Sequence, residues 1–225
     1  MNRQLIQFTK SKKPISEPET KFGGQPNWIE EVEWPLSRAT GEPMRFICQI
    51  VLSPELFGES EAKVAYIFMT DGKDYVDGTW EPDGGENAVI LQPGSTEVPT
   101  KKYTKGPTLY QMVKKMFQKR LQPEPCEFKV EGSISDEPDF IPIDQRSELS
   151  DSDFEAYARK LEGNKIGGSP IFLQNDEFPD SEPWDLLLQL DSTSVPFYVN
   201  FGDAGIGYAF ISKDRKKARF LWQCA

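Results

Sequence analysis

The residues that could do chemistry in this chain are few, and several come in pairs. Lys21-Phe22-Gly23-Gly24-Gln25-Pro26 returns as Lys165-Ile166-Gly167-Gly168-Ser169-Pro170. Adjacent glycines expose backbone N–H groups, so Gly23-Gly24 and Gly167-Gly168 have the composition of a phosphate cradle. Neither pair has the Gly-x-x-x-x-Gly-Lys-Ser/Thr or Gly-x-Gly-x-x-Gly spacing, and neither clearly joins a strand to a helix. The expectation is therefore a turn with positive φ ahead of a proline-fixed corner. Gln49 and Gln189 each interrupt an apolar strand, six residues after a Glu-Pro proline (43 to 49, 183 to 189). A buried amide must satisfy its hydrogen bonds, so these two either anchor the neighbouring Gly-Gly loop or read a ligand backbone from a groove.

Gly202-Asp203-Ala204-Gly205 lies between two strand patterns, where Asp203 is expected to cap backbone N–H groups. Asp83-Gly84-Gly85-Glu86 lacks the ligand order of a calcium loop and is expected to be a hairpin turn. Histidine is absent, which removes Ser-His-Asp and Cys-His relays and imidazole-ligated zinc. Cys48, Cys126 and Cys224 are odd in number and scattered, unlike a secreted disulfide framework or a Cys₄ site. No catalytic residue, metal site or cofactor is assigned on these grounds. The binding candidates are Gly23, Gly24, Trp28, Gln49, Gly167, Gly168, Gln189, Gly202 and Asp203.

These residues sit on a repeated pattern. After the two Gly-Gly motifs and the two glutamine strands, Ala65-Tyr66-Ile67-Phe68-Met69 matches Gly207-Tyr208-Ala209-Phe210-Ile211. Three ordered matches indicate a duplicated β unit, with repeats at about 21–105 and 165–225. Residues 1–20 are polar and read as an N-terminal arm or edge segment, and 21–225 as one domain. Met44 to Leu52 predicts a strand with Met44, Phe46, Cys48, Ile50 and Leu52 on one face. Further strands are expected at 63–70, 87–92, 96–103, 126–134, 185–191, 195–201, 206–212 and 217–224. Trp28 and Trp34 are expected to cover one end of the core.

Two amphipathic helices complete the picture. Pro107, with Leu109, Met112, Val113, Met116, Phe117 and Leu121 at helical spacing, predicts one over about 108–121. Ser150 as N-cap, Asp151 and Asp153 in the first turn and Gly163 as terminator predict another over 150–162. The fold class is thus mainly β (α+β), two pseudo-symmetric β units sharing one core.

At 225 residues and a net charge of −10 the chain can bury a sizeable core, and its acidity argues against nonspecific nucleic-acid binding. No signal peptide or membrane span is expected, so the chain is placed in the cytoplasm. Charge is segregated: residues 98–123 hold only bases, and 124–155 are rich in acids. Asp136, Glu137 and Asp139 fall in a Pro-interrupted loop, so reversing all three is expected to leave stability unchanged.

The Lys-x-Gly-Gly-x-Pro motifs, the Gln49 and Gln189 strands, Gly202-Asp203-Ala204-Gly205 and the terminal Phe220-Leu221-Trp222-Gln223-Cys224 together resemble the bacterial YwqG-like family, a domain family of unknown function. The resemblance runs from about Lys21 to the C-terminus and implies a mainly β fold with an internal duplication. That family is distantly similar to the eukaryotic programmed cell death 2 proteins, dedicated chaperones of a ribosomal protein, whose cysteine-rich insertions this chain lacks. The functional expectation is a non-enzymatic protein- or peptide-binding module, chaperone-like or immunity-type, for a basic partner, acting as a monomer or weak dimer. The alternative is a carboxylate-dependent hydrolase, which needs two acids at a set separation and no histidine.

Overall fold

The computed structural model describes residues 1–72, 76–97, 105–115 and 120–225. The chain runs through β1 (Asn2–Leu5), β2 (Gln7–Lys10), β3 (Lys21–Gly23), β4 (Arg45–Val51), the short helix α1 (Pro54–Phe57), β5 (Ala62–Met69) and β6 (Asn87–Pro93). A two-stranded ladder of β7 (Tyr110–Val113) and β8 (Gln122–Pro125) follows, then β9 (Glu127–Glu131), β10 (Ile134–Asp136), α2 (Ile143–Arg146) and α3 (Asp151–Leu161). The last part holds β11 (Lys165–Gly167), β12 (Trp184–Asp191), β13 (Ile206–Ser212) and β14 (Ala218–Gln223). The architecture is mainly β, as expected.

Two six-stranded antiparallel sheets carry the fold. One has the order β2-β9-β3-β4-β5-β6 and the other β10-β1-β11-β12-β13-β14. β1 and β2 are separated only by Ile6, so the first ten residues cross from one sheet to the other. β9 and β10 make the same crossing antiparallel to them. The segment expected as an arm or edge thus supplies an inner strand to one sheet and an edge to the other.

Each sheet buries both faces. From β5, Ala65, Ile67 and Met69 enter the core between the sheets, while Val64, Tyr66 and Phe68 face outward. From β13, Ala209 and Ile211 enter that same core, while Tyr208 and Phe210 face outward. The outward aromatics are covered by the segments after the Gly-Gly motifs, through Trp28 and Trp34 in one half and Phe172 and Phe178 in the other. The two tryptophans therefore cap a sheet face and not an end of the core.

The expected single-face alternation of Met44 to Leu52 needs correction. A bulge between Phe46 and Cys48 switches the faces, so Met44 and Phe46 join the outer cluster while Cys48, Ile50 and Leu52 join the inner core. One extra residue, Ile47, is what inverts the period of two. A bulge between Leu186 and Leu188 does the same in β12.

The helix expected over 108–121 is also overturned. Thr108 bridges Phe46, the Leu109 carbonyl accepts from Cys126 N–H, and the Tyr110 carbonyl accepts from Tyr198 N–H. Those backbone groups are committed to distant partners, and tertiary pairing overrides the helical spacing of the apolar residues. Leu109 is in the core, yet Met112 is 47% exposed. Phe117 lies outside the described residues, as does 98–104, which holds most of the strand expected at 96–103. Residues 195–201 form no strand and pair only through Tyr198.

The second helix forms as α3, with Ser150 Oγ accepting from Asp153 N–H and Tyr157 and Leu161 buried. Phe154 on the same helix is 38% exposed. Among the described residues no helix is long and apolar enough to cross a membrane. The three cysteines are free.

Candidate functional site

The two Gly-Gly motifs are built around buried lysines. Lys21 on β3 pairs with Gln49 on β4, and Lys165 on β11 pairs with Gln189 on β12. Both ammonium groups are out of solvent. Lys21 Nζ lies 2.7 Å from Glu127 Oε1 and donates to the carbonyls of Gln25 (2.7 Å) and Ile15 (3.1 Å). Lys165 Nζ lies 3.0 Å from both oxygens of Glu137 and donates to the Ser169 carbonyl at 2.5 Å. Burial pulls both lysines below their ordinary value, and the facing glutamates recover only part of this, leaving Lys165 at about 8. Arg3 also reaches Glu137, at 2.8 Å.

The glycines make these contacts geometrically possible. Gly23, Gly24, Gly167 and Gly168 all have φ between 67° and 81°. A Cβ at Gly24 would stand 2.2 Å from Glu127 Oε1, and one at Gly168 would stand 1.8 Å from Glu137 Oε1. The second glycine of each motif therefore leaves room for a carboxylate. This disposes of the expectation that Glu137 is a replaceable loop acid: its side chain is 1% exposed and holds a buried lysine, whereas neighbouring Asp139 is 86% exposed.

Gln49 and Gln189 act as anchors. Gln49 Oε1 accepts from Asn27 N–H (2.8 Å) and its amide donates to the Glu19 carbonyl. Gln189 Oε1 accepts from Ile171 N–H (2.9 Å) and its amide donates to the carbonyls of Leu161 and Gly163. Tyr66 and Tyr208 donate to the carbonyls of the same two residues, Asn27 and Ile171, each at 2.8 Å. Sequence reading missed a further pair: Gln92 accepts from Glu30 N–H and Gln223 from Gln174 N–H. Side-chain amides thus fix the irregular segment after each Gly-Gly motif at two points.

The first segment borders a groove. A cavity of about 620 Å³ lies against Gly24, Asn27 and Trp28, with Pro14, Ile15 and Pro125 as apolar walls. It shares Gln25, Lys105, Thr108 and Pro125 with a wider cleft of about 1000 Å³ that continues past Arg45, Asp71 and Tyr110. Asp71 and Gly72 lead on into a third hollow of about 320 Å³ beside Tyr198, Gly202 and Trp222. Within the wide cleft Arg45 Nε lies 2.6 Å from Asp71, an ion pair by distance although its N–H is turned off the oxygen. The Arg45 guanidinium also sits over the Tyr110 ring, which stacks on Tyr198.

Among the described residues, four further buried polar atoms of residues that border these hollows have no hydrogen-bond partner and are themselves closed to solvent: Asn27 Oδ1, Trp28 Nε1 and Thr108 Oγ1 by the first, and Trp222 Nε1 by the third. Arg3 Nε, Ser53 Oγ, Asn87 Oδ1 and Arg146 Nε, elsewhere in the fold, are in the same state. Beside Gly168 and Ser169, at the second Gly-Gly motif, the hollow is about 270 Å³.

Of the sequence candidates, Gly24 and Trp28 line the first cavity, Gly202 the third and Gly168 the small hollow of the second motif, while Gln49 and Gln189 are fully buried. Asp203 is exposed, and Asn200 supplies the side-chain acceptor for the Gly202 N–H in its place. Asp83 forms a surface pair with Arg219 at 2.7 Å. Among the described residues no three Cys, Asp or Glu side chains cluster as metal ligands would. Gln25, Asn27, Arg45, Asp71, Thr108 and Tyr110 were not foreseen. Only Asn27 left a signal, since Asn27-Trp28 stands where the second copy reads Ile171-Phe172.

No curated protein matches the chain. A family model described as a domain of unknown function, DUF1963, matches residues 20–224. That match takes in both Gly-Gly motifs, both glutamine strands and every groove residue beyond Ser16, and the chain belongs to this family.

Proposed function

We propose that the protein is a non-enzymatic binding module that holds an extended segment of another protein in the groove that starts beside its first Gly-Gly motif. The observation that carries this reading is the run of three hollows that share lining residues, the first two walled mainly by apolar groups such as Pro14, Ile15, Tyr110 and Pro125. An extended chain is the ligand shape that fits such a run, since it offers successive side chains to successive hollows. The net charge of −10 favours a basic partner by long-range attraction.

The recurrence of Lys–Glu pins, glutamine anchors and bulges in the two halves supports a duplicated architecture in which one copy has been opened for binding. The YwqG-like resemblance, with its distant similarity to the chaperones among the programmed cell death 2 proteins, agrees with a cytoplasmic, chaperone-like role. A hydrolase reading needs a carboxyl held protonated as the acid. Glu86, a buried carboxylate, is instead held below its ordinary value, and it is committed to Ser37, Thr70 and Ala39.

Affinity capture from native cells followed by mass spectrometry tests the proposal, with Met112→Glu as the control because this exposed residue lines the wide cleft. A stoichiometric basic protein retained by the wild type and lost by Met112→Glu supports it. A partner held equally by both proteins refutes the groove as its site.

A further inference from the structure

The wide cleft and the third hollow meet at one charged pair. Asp71 lines both, whereas Arg45 lines the cleft and not the hollow. The side chains of Arg45 and Asp71 are 20% and 21% exposed, so solvent reaches both. The other half carries such a pair with its signs exchanged. Arg45 stands opposite Met69 in the β4–β5 ladder, and Asp71 follows Met69 by two residues. Asp185 stands opposite Ile211 in the β12–β13 ladder, and Lys213 follows Ile211 by two residues. Asp185 lies 2.5 Å from Lys213 and 2.6 Å from Arg215. The fold therefore closes this end of a ladder with either polarity, and packing alone does not demand an acid at 71.

In the first half the base lies over the Tyr110 ring, with Arg45 Nη1 donating to the Thr108 carbonyl, and the acid stands on the wall of the third hollow. That hollow has the composition of a cation pocket. Among the described residues that line it, Asp71 carries the only charge. Tyr198, 42% exposed, and the partly buried Trp222 supply ring faces, while Thr79 and Asn200 add side-chain oxygens. A ring face attracts a cation. A carboxylate accepts through both oxygens, so Asp71 can face Arg45 with Oδ2 and a ligand with Oδ1.

We infer that the third hollow is the subsite for one basic side chain, lysine or arginine, of the bound segment: Asp71 pairs with its charge, and Tyr198 and Trp222 flank it. Its volume of about 320 Å³ has room for the charged head and the end of the stem. The net charge of −10 draws a basic segment towards the protein, and Asp71 gives that attraction a fixed point at the far end of the groove. This inference rests on the groove reading above and adds the residue type that stands at one position of the bound segment.

The test pans a phage-displayed library of random peptides on the wild-type protein, then titrates the selected synthetic peptides by calorimetry. The peptides are expected to share one lysine or arginine, whose replacement by methionine weakens binding about 5-fold or more. Asp71→Asn, which keeps an oxygen for Arg45, is expected to weaken the basic peptides similarly and the methionine versions little. Asp71→Lys, which installs the residue type of position 213, is expected to bind glutamate versions of the peptides more tightly than the wild type does. Asp185→Asn removes the acid of the other pair and is expected to leave binding unchanged. Should Asp71→Lys lower stability, Asp71→Asn alone carries the test, because a general loss of structure weakens basic and methionine peptides alike. Selected peptides without a shared basic residue, or basic peptides indifferent to Asp71→Asn, overturn the subsite. If those same peptides lose affinity for Met112→Glu, the groove reading survives that result. If no peptide is enriched over an unrelated control protein, both fall.

Discussion

Replacing Glu137 by glutamine should destabilise the protein severely, although the sequence places this residue between surface acids. The carboxylate accepts from Lys165 Nζ at 3.0 Å, from Ser169 N–H at 2.5 Å and from Arg3 at 2.8 Å, with almost none of its surface exposed. Removing one partner of a buried pair strands the other charge, which costs about 3–5 kcal/mol. The deficit should depend on pH in a definite direction. Lys165 titrates at about 8 when folded and 10.5 when unfolded. Losing Glu137 takes away the interactions that raise it, so its folded pKa drops further in the variant.

Between those two folded values the wild-type protein keeps a proton that the variant has shed. The difference in stability therefore grows as pH falls from about 8 to the variant's value and levels off below it. Glu137→Gln with Lys165→Met removes both halves of the pair and should recover most of the loss, since apolar replacement of a buried pair is often neutral or better. Urea denaturation of wild type, single and double variants between pH 6 and about 9 measures all of this. A single-variant loss below about 1 kcal/mol at neutral pH, or a double variant no better than the single, would refute the account of the Gly-Gly motif as a lysine–glutamate pin.

Gly168→Ala attacks the same pin through the backbone: its Cβ would fall 1.8 Å from Glu137 Oε1 at a φ of 81°, so thermal melting should drop sharply, while Gly41→Ala, with φ 73° and no atom within 4 Å, should show only the smaller cost of the positive φ. Burial pushes the Glu86 carboxyl up, but hydrogen bonds from Thr70, Ser37 and the N–H groups of Ala39 and Arg38 outweigh it and hold it below its ordinary 4.5. Its stabilising contribution is therefore complete above that pH and disappears as pH falls through the depressed value. In acid titrations, Glu86→Gln should flatten the fall in stability below about pH 4.5, and an unchanged slope would contradict this. Charge reversal at exposed Asp136 and Asp139, leaving Glu137 intact, should slow capture of a basic partner in a salt-dependent way without moving the melting temperature. An association rate indifferent to both salt and reversal would remove the electrostatic part of the proposal.

Features that depend on near neighbours were legible in the sequence. The positive-φ turns at Gly23-Gly24 and Gly167-Gly168, the Ser150-capped helix and the strands around Gln49 and Gln189 each follow from a few adjacent residues, and the structure has them. Anchoring was one of the two roles the sequence left open to Gln49 and Gln189, because a buried amide in an apolar strand must find partners, and the structure selects it. What the sequence could not supply is which distant group answers each local demand. Lys21 finds Glu127 at 106 positions away and Lys165 finds Glu137 at 28, choices made by how β9 and β10 cross between the sheets. Residues 108–113 have helical spacing, yet their backbone groups pair with Phe46, Cys126 and Tyr198, so long-range ladders overruled local periodicity. A bulge of one residue turned half of β4 over, since strand facing has a period of only two. The groove belongs to the same category. Its walls come from residues 14–16, 24–28, 45, 69–72, 76, 79, 105–108, 110, 112, 123, 125, 127, 198, 200, 202 and 222, brought together only when both sheets close on a common core. Local sequence determined the turns, anchors and strands, and tertiary packing decided which of them face an open cavity, because a cavity is a property of the space between elements and not of any one of them.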